Sequence, residues 1–283
     1  MSGRLLAICV SALVLASKAL CDAGFRHNYT AYQGGKYGDA PLQKYKSDPV
    51  RSPIFGVNVW NDSLIDQTSH IIFEPNYMDG NKQRVGPYIF SSKDLSLVYG
   101  NPAFNASNNA RIQKYKGEGV LTYWAGKQGK GHATGNCFIM NNRYEVTHTI
   151  STVGLDTNVD LHECQITDNH TVLVTAYEKT EFDLSPVGGK ENDTLLDSVF
   201  QEIDVETGEL LFSWRGSQNI PLTDTYSDYK RNKDVGWDAY HINSLQKVRS
   251  KYSAANQHEE TLLTVTPSPQ KATTSSPSAV YTS

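Results

Sequence analysis

Apolar and polar positions alternate over much of this chain, and the alternation predicts strands rather than helices. Four pairs of short apolar runs flank turns that contain Asn, Asp or Gly, at residues 88–99, 137–150, 162–177 and 199–214. Their arms are rich in β-branched and aromatic residues, which is the pattern of a β-hairpin. No stretch has the periodicity of an amphipathic helix, so we predict an all-β fold.

Hairpins of related content recur along the chain at a spacing of about 40 to 50 residues, which is typical of the blades of a β-propeller. A two-sheet sandwich would also produce many short strands. The recurrence favours the propeller, whose radial closure leaves few exposed sheet edges. We predict a partial propeller over residues 51–247, preceded by an extended segment over residues 22–50.

The first 21 residues have the pattern of a secretory signal peptide. Arg4 supplies a positive charge, residues 5–16 form an apolar run, and small residues follow at cleavage spacing. The run is shorter than the roughly 20 residues that a transmembrane helix needs. A buried N-terminal helix is the alternative interpretation. We expect a secreted, extracellular protein without stable membrane insertion.

Asn-x-Ser/Thr sequences support secretion independently, because such sequons accept N-linked glycans in secreted proteins. A single sequon also arises by chance, whereas several behind a signal peptide favour a glycoprotein. The predicted glycosylation sites are Asn28, Asn61, Asn105, Asn169 and Asn192.

Two cysteines remain after the signal peptide if cleavage follows Cys21. Cys137 and Cys164 are then a natural pair for a disulfide in an oxidising compartment. Two separate buried thiols are the alternative, and the sequence leaves both open.

The residues after 247 lose the strand pattern and become rich in Ser, Thr and Pro. Such a composition buries too little apolar surface to order itself, so we predict a disordered tail over residues 248–283. One interpretation is an O-glycosylated stalk on a surface protein. We favour another, in which the translated sequence has left the true reading frame, because the predicted propeller is unfinished at this point.

The net charge and the absence of common catalytic motifs exclude several classes of function. The net charge of −4 and the pI near 6.1 give no basic surface for nucleic acid. The sequence has no Gly-x-Ser-x-Gly, P-loop, His-Glu-x-x-His or Cys-x-x-Cys motif. We find no spacing of metal ligands and expect no cofactor.

Histidines are the most informative candidates for chemistry. We expect His162 and His241 to begin strands, where propellers bind ligands, and Asp238 and Asn243 are close enough in sequence to orient the ring of His241. A histidine with an orienting carboxylate suits nucleophilic or acid–base catalysis. The alternative is a hydrogen-bonded structural histidine. His132, in the glycine-rich loop 129–135, is a further candidate for lining a site.

A series of motifs surrounds these histidines: GPYI at 86–89, YKGEGVLTYW at 115–124, DLHE at 160–163, DSVFQEID at 197–204, TG at 207–208 and WDAYHINS at 237–244. In this order and spacing the chain resembles the fungal secreted arylsulfotransferase-like (ASST) proteins over residues 54–247. The resemblance implies a six-bladed propeller, of which about four blades are present. It also implies sulfuryl transfer from a phenolic sulfate to a phenol through a sulfohistidine, without a nucleotide donor.

The resemblance assigns catalytic roles to His162 and His241, and we place Trp237, Asp238, Asn243 and His132 in substrate binding. The expected partner is a small aromatic sulfate or phenol. The chain lacks the family's later Ser-x-Arg-His and His-Asp motifs, and the histidine that becomes sulfated in bacterial relatives lies in that missing part. We therefore expect a truncated protein with little or no activity. The alternative is a non-catalytic extracellular binding module with the same fold.

Overall fold

The computed structural model describes residues 26–66, 68–225, 227–249 and 259–266. These residues form mainly strands, and the predicted all-β class is confirmed. Besides the strands there are two helical turns and three short 3₁₀ turns, at Asp62–Leu64, Ser185–Val187 and Leu222–Asp224. In this part of the chain no helix is long and apolar enough to cross a membrane.

Short strands and one helical turn build the region before residue 105. In chain order they are β1 (Arg26–Asn28), α1 (Tyr29–Gln33), β2 (Leu42–Lys44), β3 (Arg51–Pro53), β4 (Phe55–Val57), β5 (His70–Phe73), β6 (Asn76–Asp79), β7 (Lys82–Val85), β8 (Tyr88–Ser91) and β9 (Leu97–Gly100). β1 pairs in parallel with β4, β2 pairs with β3, β6 pairs with β7, and β8 lies between β5 and β9. The turn α1, which the Asn28 side chain caps, lies inside the segment predicted to be extended.

Two antiparallel meanders of four strands follow, each with its strands in sequence order. The first contains β10 (Ser107–Tyr115), β11 (Glu118–Gln128), β12 (Ala133–Met140) and β13 (Val146–Ile150). The second contains β14 (Cys164–Ile166), β15 (Thr171–Phe182), β16 (Asp193–Asp204) and β17 (Leu210–Arg215). All four predicted hairpins form. Strand β10 is not among the predicted strands, because its mostly polar sequence hides the alternation.

The last described elements complete the second meander and add a ribbon. They are α2 (Gly216–Asn219), β18 (Trp237–Asp238), β19 (His241–Arg249) and β20 (Glu259–Thr266). β18 pairs in parallel with β16, and β19 pairs with β20. The tail predicted to be disordered over residues 248–283 contains the end of β19 and the strand β20, whose sequence EETLLTVT carries β-branched residues that favour a strand despite the neighbouring Ser and Pro. The rest of that tail and the predicted signal peptide lie outside the described residues.

The two meanders have the strand order of propeller blades. Their first strands, β10 and β14, lie side by side, and β10 also lies beside β5. The described residues do not include a closed ring, so the propeller itself stays a prediction.

Trp124 of β11 anchors the core between the two meanders. It is fully buried, packs in the same cluster as Val172 of β15, and donates its indole N–H to the carbonyl of Val159 at 2.8 Å. Gly126 and Gly135 face each other across β11 and β12, where a Cβ atom on either would lie 2.8 Å from the indole. The glycines therefore let the indole of Trp124 lie against residues 127–134, at the tip of the β11–β12 hairpin.

A disulfide joins the two meanders. It links Cys137 of β12 to Cys164 of β14, both fully buried, across a Cα separation of 6.1 Å. The bridge closes a loop of 27 residues, which restricts the unfolded chain.

Replacing both cysteines by alanine should lower the free energy of unfolding by about 3 kcal/mol, because the unfolded chain regains the entropy of the open loop. Urea denaturation at neutral pH measures the difference. The wild-type protein denatured with a reducing agent is the control and should lose a similar amount. A loss below about 1 kcal/mol in both would contradict a stabilising role for this bridge.

Candidate active site

Two histidines from distant parts of the chain meet in the structure. His162 lies shortly before β14, and His241 is the first residue of β19. Their ring centroids are 4.9 Å apart, and the ring planes are nearly perpendicular at 89°. The side chains are mostly buried, with 17% and 14% of their surface exposed. Each ring therefore keeps an exposed edge that a small molecule can reach.

The buried carboxylate of Asp160 orients His162. One oxygen, Oδ1, accepts a hydrogen bond from Nδ1 of the His162 ring and another from its backbone N–H at 3.0 Å. The second oxygen accepts the backbone N–H of Ala133 at 2.6 Å. The backbone N–H of Asp160 in turn donates to the carbonyl of Thr175 in β15. This local turn fixes both the main chain and the ring of His162.

Asp238 orients His241 in the same way. Its Oδ2 atom lies 2.7 Å from Nδ1 of the His241 ring. Burial opposes protonation of this ring, but the hydrogen bond and charge of Asp238, together with the charge of Asp160, raise the pKa of His241 above its ordinary value of 6.5. The other oxygen of Asp238 is buried, and no described residue donates a hydrogen bond to it.

The two carboxylates leave the same atom of each ring for chemistry. Because Nδ1 is engaged in both histidines, the Nε2 atom remains, and among the described residues it has no hydrogen-bond partner in either ring. A neutral ring of this kind presents a lone pair at Nε2, and a protonated one presents an N–H donor. The pair can therefore accept a proton, donate one, or bind an anionic oxygen.

Side chains of β10 hold the main chain around His162. Asn109 donates its side-chain amide to the carbonyl of His162 at 3.1 Å. Gln113 donates to the carbonyl of Cys164 at 2.7 Å and accepts the N–H of Ile166 at 2.9 Å. The first strands of the two meanders are thus joined by side chains where no backbone ladder connects them.

His132 lies beside the histidine pair in a separate cleft. Its ring centroid is 6.1 Å from that of Tyr177, whose ring in turn stacks on His241 at 5.5 Å. His132 and Tyr177 line a cleft of about 410 Å³, between residues 127–134 at the tip of the β11–β12 hairpin and strand β15. This volume is in the range of small-molecule sites.

The other two predicted substrate-binding residues, Trp237 and Asn243, differ in their exposure. Trp237 is buried in the core of the second meander, where its indole N–H donates to the carbonyl of Asp228 at 3.2 Å. Asn243 is exposed on β19, two residues after His241. The structure gives Trp237 a packing role and leaves Asn243 exposed.

Sequence reasoning missed two residues of the site, Asp160 and Tyr177. Asp160 could have been found, because a carboxylate two residues before a histidine can bind both its ring and its N–H. Tyr177 gave no such signal, since it contacts the pair only through the folding of β15 against β19. Within the described residues no group of three His, Cys, Asp or Glu side chains could hold a metal ion.

The five sequon asparagines are all exposed in the structure. At Asn28 and Asn61 the side-chain oxygen accepts a backbone N–H, which leaves the amide nitrogen, the atom that carries a glycan, available. The exposure is compatible with glycosylation at each position.

The meanders and the carboxylate-bound histidine pair define an all-β protein with a site suited to acid–base or group-transfer chemistry. A family model described as Arylsulfotransferase (ASST) matches residues 111–272, more than half of the chain. The protein therefore belongs to the arylsulfotransferase family, and the resemblance drawn from the motifs is confirmed at that level. No curated protein and no solved structure matched the chain.

Replacing Asp238 by Asn should lower the pKa of His241, because the amide removes the negative charge that favours the imidazolium. NMR titration of the ring protons measures the midpoint. Since the folded pKa of wild-type His241 is raised, the wild type should gain stability over the variant below pH 6.5 and lose that gain as the pH rises through the folded pKa. Asp39→Asn, at an exposed N-terminal carboxylate, is the control. An unchanged midpoint in Asp238→Asn would contradict the assigned cause.

Proposed function

We propose that this protein transfers sulfuryl groups from phenolic sulfates to phenols. The observation that carries the proposal is the pair of His162 and His241, held 4.9 Å apart with each Nδ1 bound to a carboxylate. Membership of the arylsulfotransferase family supports phenolic substrates as a class.

The chemistry of the transfer fits the two rings. The sulfur–oxygen bond to the donor phenol breaks and a bond to the acceptor phenol forms, while the acceptor's proton ends on the donor's oxygen. Charge on the sulfuryl oxygens and on the leaving oxygen must be stabilised on the way. A protonated ring donates an N–H from Nε2 to these oxygens, and the raised pKa of His241 favours this form. In this proposal the protonated ring of His241 gives its Nε2 proton to the leaving phenolate and then takes the proton of the acceptor phenol, while the ring of His162 contacts the sulfuryl group without forming a bond to it.

The cleft that shares Tyr177 with the histidine pair has room for an aromatic ring, although neither His162 nor His241 lines it. Tyr177 forms one wall of the cleft and contacts both catalytic rings, and His132 lines the same cleft. We assign this cleft to the body of the phenol, and Asn243 to the exposed rim of the site.

We also propose that the protein is a secreted glycoprotein with a propeller fold. The disulfide between Cys137 and Cys164 and the exposed sequons support an oxidising, extracellular environment. The adjacent first strands β5, β10 and β14 support a radial arrangement of sheets.

Replacing either His162 or His241 by alanine should reduce sulfuryl transfer at least about 100-fold, since each loses a proton-transfer group and a donor to the anionic centre. Transfer from 4-nitrophenyl sulfate to phenol, followed by the release of 4-nitrophenol, measures the rate. The same assay measures whether the wild-type rate is as low as the sequence predicts.

His70→Ala is the matched control, because His70 is an exposed histidine of β5, and it should keep the wild-type rate. Full activity in both site variants would refute the assigned site. Saturable binding of a phenol to the wild type without any turnover would instead favour the non-catalytic binding module.

A further inference from the structure

Tyr177 lies at the centre of the candidate site, although no motif marks it. Its side chain comes from β15 and is almost fully buried. The hydroxyl accepts the backbone N–H of Ile242 at 2.8 Å and donates to the carbonyl of the same residue at 3.0 Å. One side-chain group therefore satisfies both polar backbone groups of the residue that follows His241.

This contact replaces a strand ladder. Among the described strands β19 pairs only with β20, so no backbone ladder ties it to β15 or β16. Ile242 is fully buried, and without the hydroxyl its N–H and carbonyl would both lose a partner inside the protein. On the other side of His241 the hydroxyl of Ser198 holds the carbonyl of Tyr240. The main chain at His241 is thus fixed on both sides by side chains.

The ring of Tyr177 also contacts the site histidines. Its centroid lies 5.5 Å from His241 in a stacked arrangement, 6.3 Å from His162 and 6.1 Å from His132. No other ring in the described part of the chain contacts all three. A shift of Tyr177 would therefore change the spacing of the histidines together.

We propose that Tyr177 is a positioning residue for the transfer reaction: its hydroxyl fixes the main chain beside His241, and its ring sets the distance between His241 and His162. This inference rests on the proposed function, but the geometry that it describes is measurable without turnover. Tyr177 does not itself transfer a proton. Its burial and the charges of Asp238 and Asp160 raise its pKa well above its ordinary value, so the hydroxyl stays protonated and keeps both hydrogen bonds.

Tyr177→Phe tests the proposal, because it removes the hydroxyl and keeps the ring. Tyr240→Phe is a closely matched control. Tyr240 is equally buried, precedes His241 directly, and donates its hydroxyl to a backbone carbonyl at 2.8 Å, but that carbonyl belongs to Ile220. Tyr177→Phe loses two buried hydrogen bonds to the backbone and Tyr240→Phe loses one, so both should melt at a lower temperature than the wild type.

Only Tyr177→Phe should disturb the histidine pair. We expect it to weaken the nuclear Overhauser effect between the ring protons of His162 and His241, and to lower kcat at least about tenfold while KM changes less than about threefold. In Tyr240→Phe the ring-to-ring signal and kcat should stay within about twofold of the wild type.

Equal behaviour of the two variants in the ring-to-ring signal would overturn the proposal. If Tyr177→Phe does not fold, 4-aminophenylalanine at this position supplies a group that both donates and accepts, and it should retain the signal. Loss of the signal in that folded protein would also overturn the proposal. Absence of sulfuryl transfer in the wild type would refute the proposed function alone, because the ring-to-ring signal still tests the role of Tyr177.

Discussion

The site depends on one buried charge, the carboxylate of Asp160. A carboxylate removed from water is costly unless hydrogen-bond donors surround it, and the fold supplies them from His162, Ala133 and the hydroxyl of Thr175. His162 gives its ring and its backbone N–H, and Ala133 gives a backbone N–H from the start of β12. The need to satisfy this charge therefore fixes the ring of His162 and the glycine-rich loop before Ala133 in one step.

Buried acids repeat this role at other joints between elements. Glu163 accepts hydrogen bonds from Arg111 of β10 and, at 3.2 Å, from the backbone N–H of Leu245 in β19. Glu202 of β16 binds Lys247, further along β19. Backbone ladders hold together the strands of each sheet. Between the sheets, polar side chains determine much of how one sheet is placed against the next. Such contacts must all be formed together, which favours a single arrangement of the strands.

The sequence predicted the elements better than their assembly. Alternation and turn residues are local, so the hairpins and the all-β class followed from them. Strand β10 was not predicted, because its mostly polar sequence hides the alternation and only Tyr115 at its end is buried. His162 and His241 were predicted individually, but they are about 80 residues apart in sequence. Their contact depends on β19 lying against β15, which no local pattern encodes. Tyr177 was missed for the same reason.

Because of the way β19 is attached, the segments that carry His162 and His241 differ in local stability. His162 belongs to a segment fixed by a disulfide, by β10 and by the second meander. His241 begins a strand that shares no ladder with that sheet and is tied to it by side chains and by the short strand β18 before it, which pairs with β16. A strand without its own ladder can detach at a lower free-energy cost than a central one. Hydrogen exchange at Ile242 would then be faster than at the centre of β15. The candidate site is in this sense an assembly of a constant half and a reversible half.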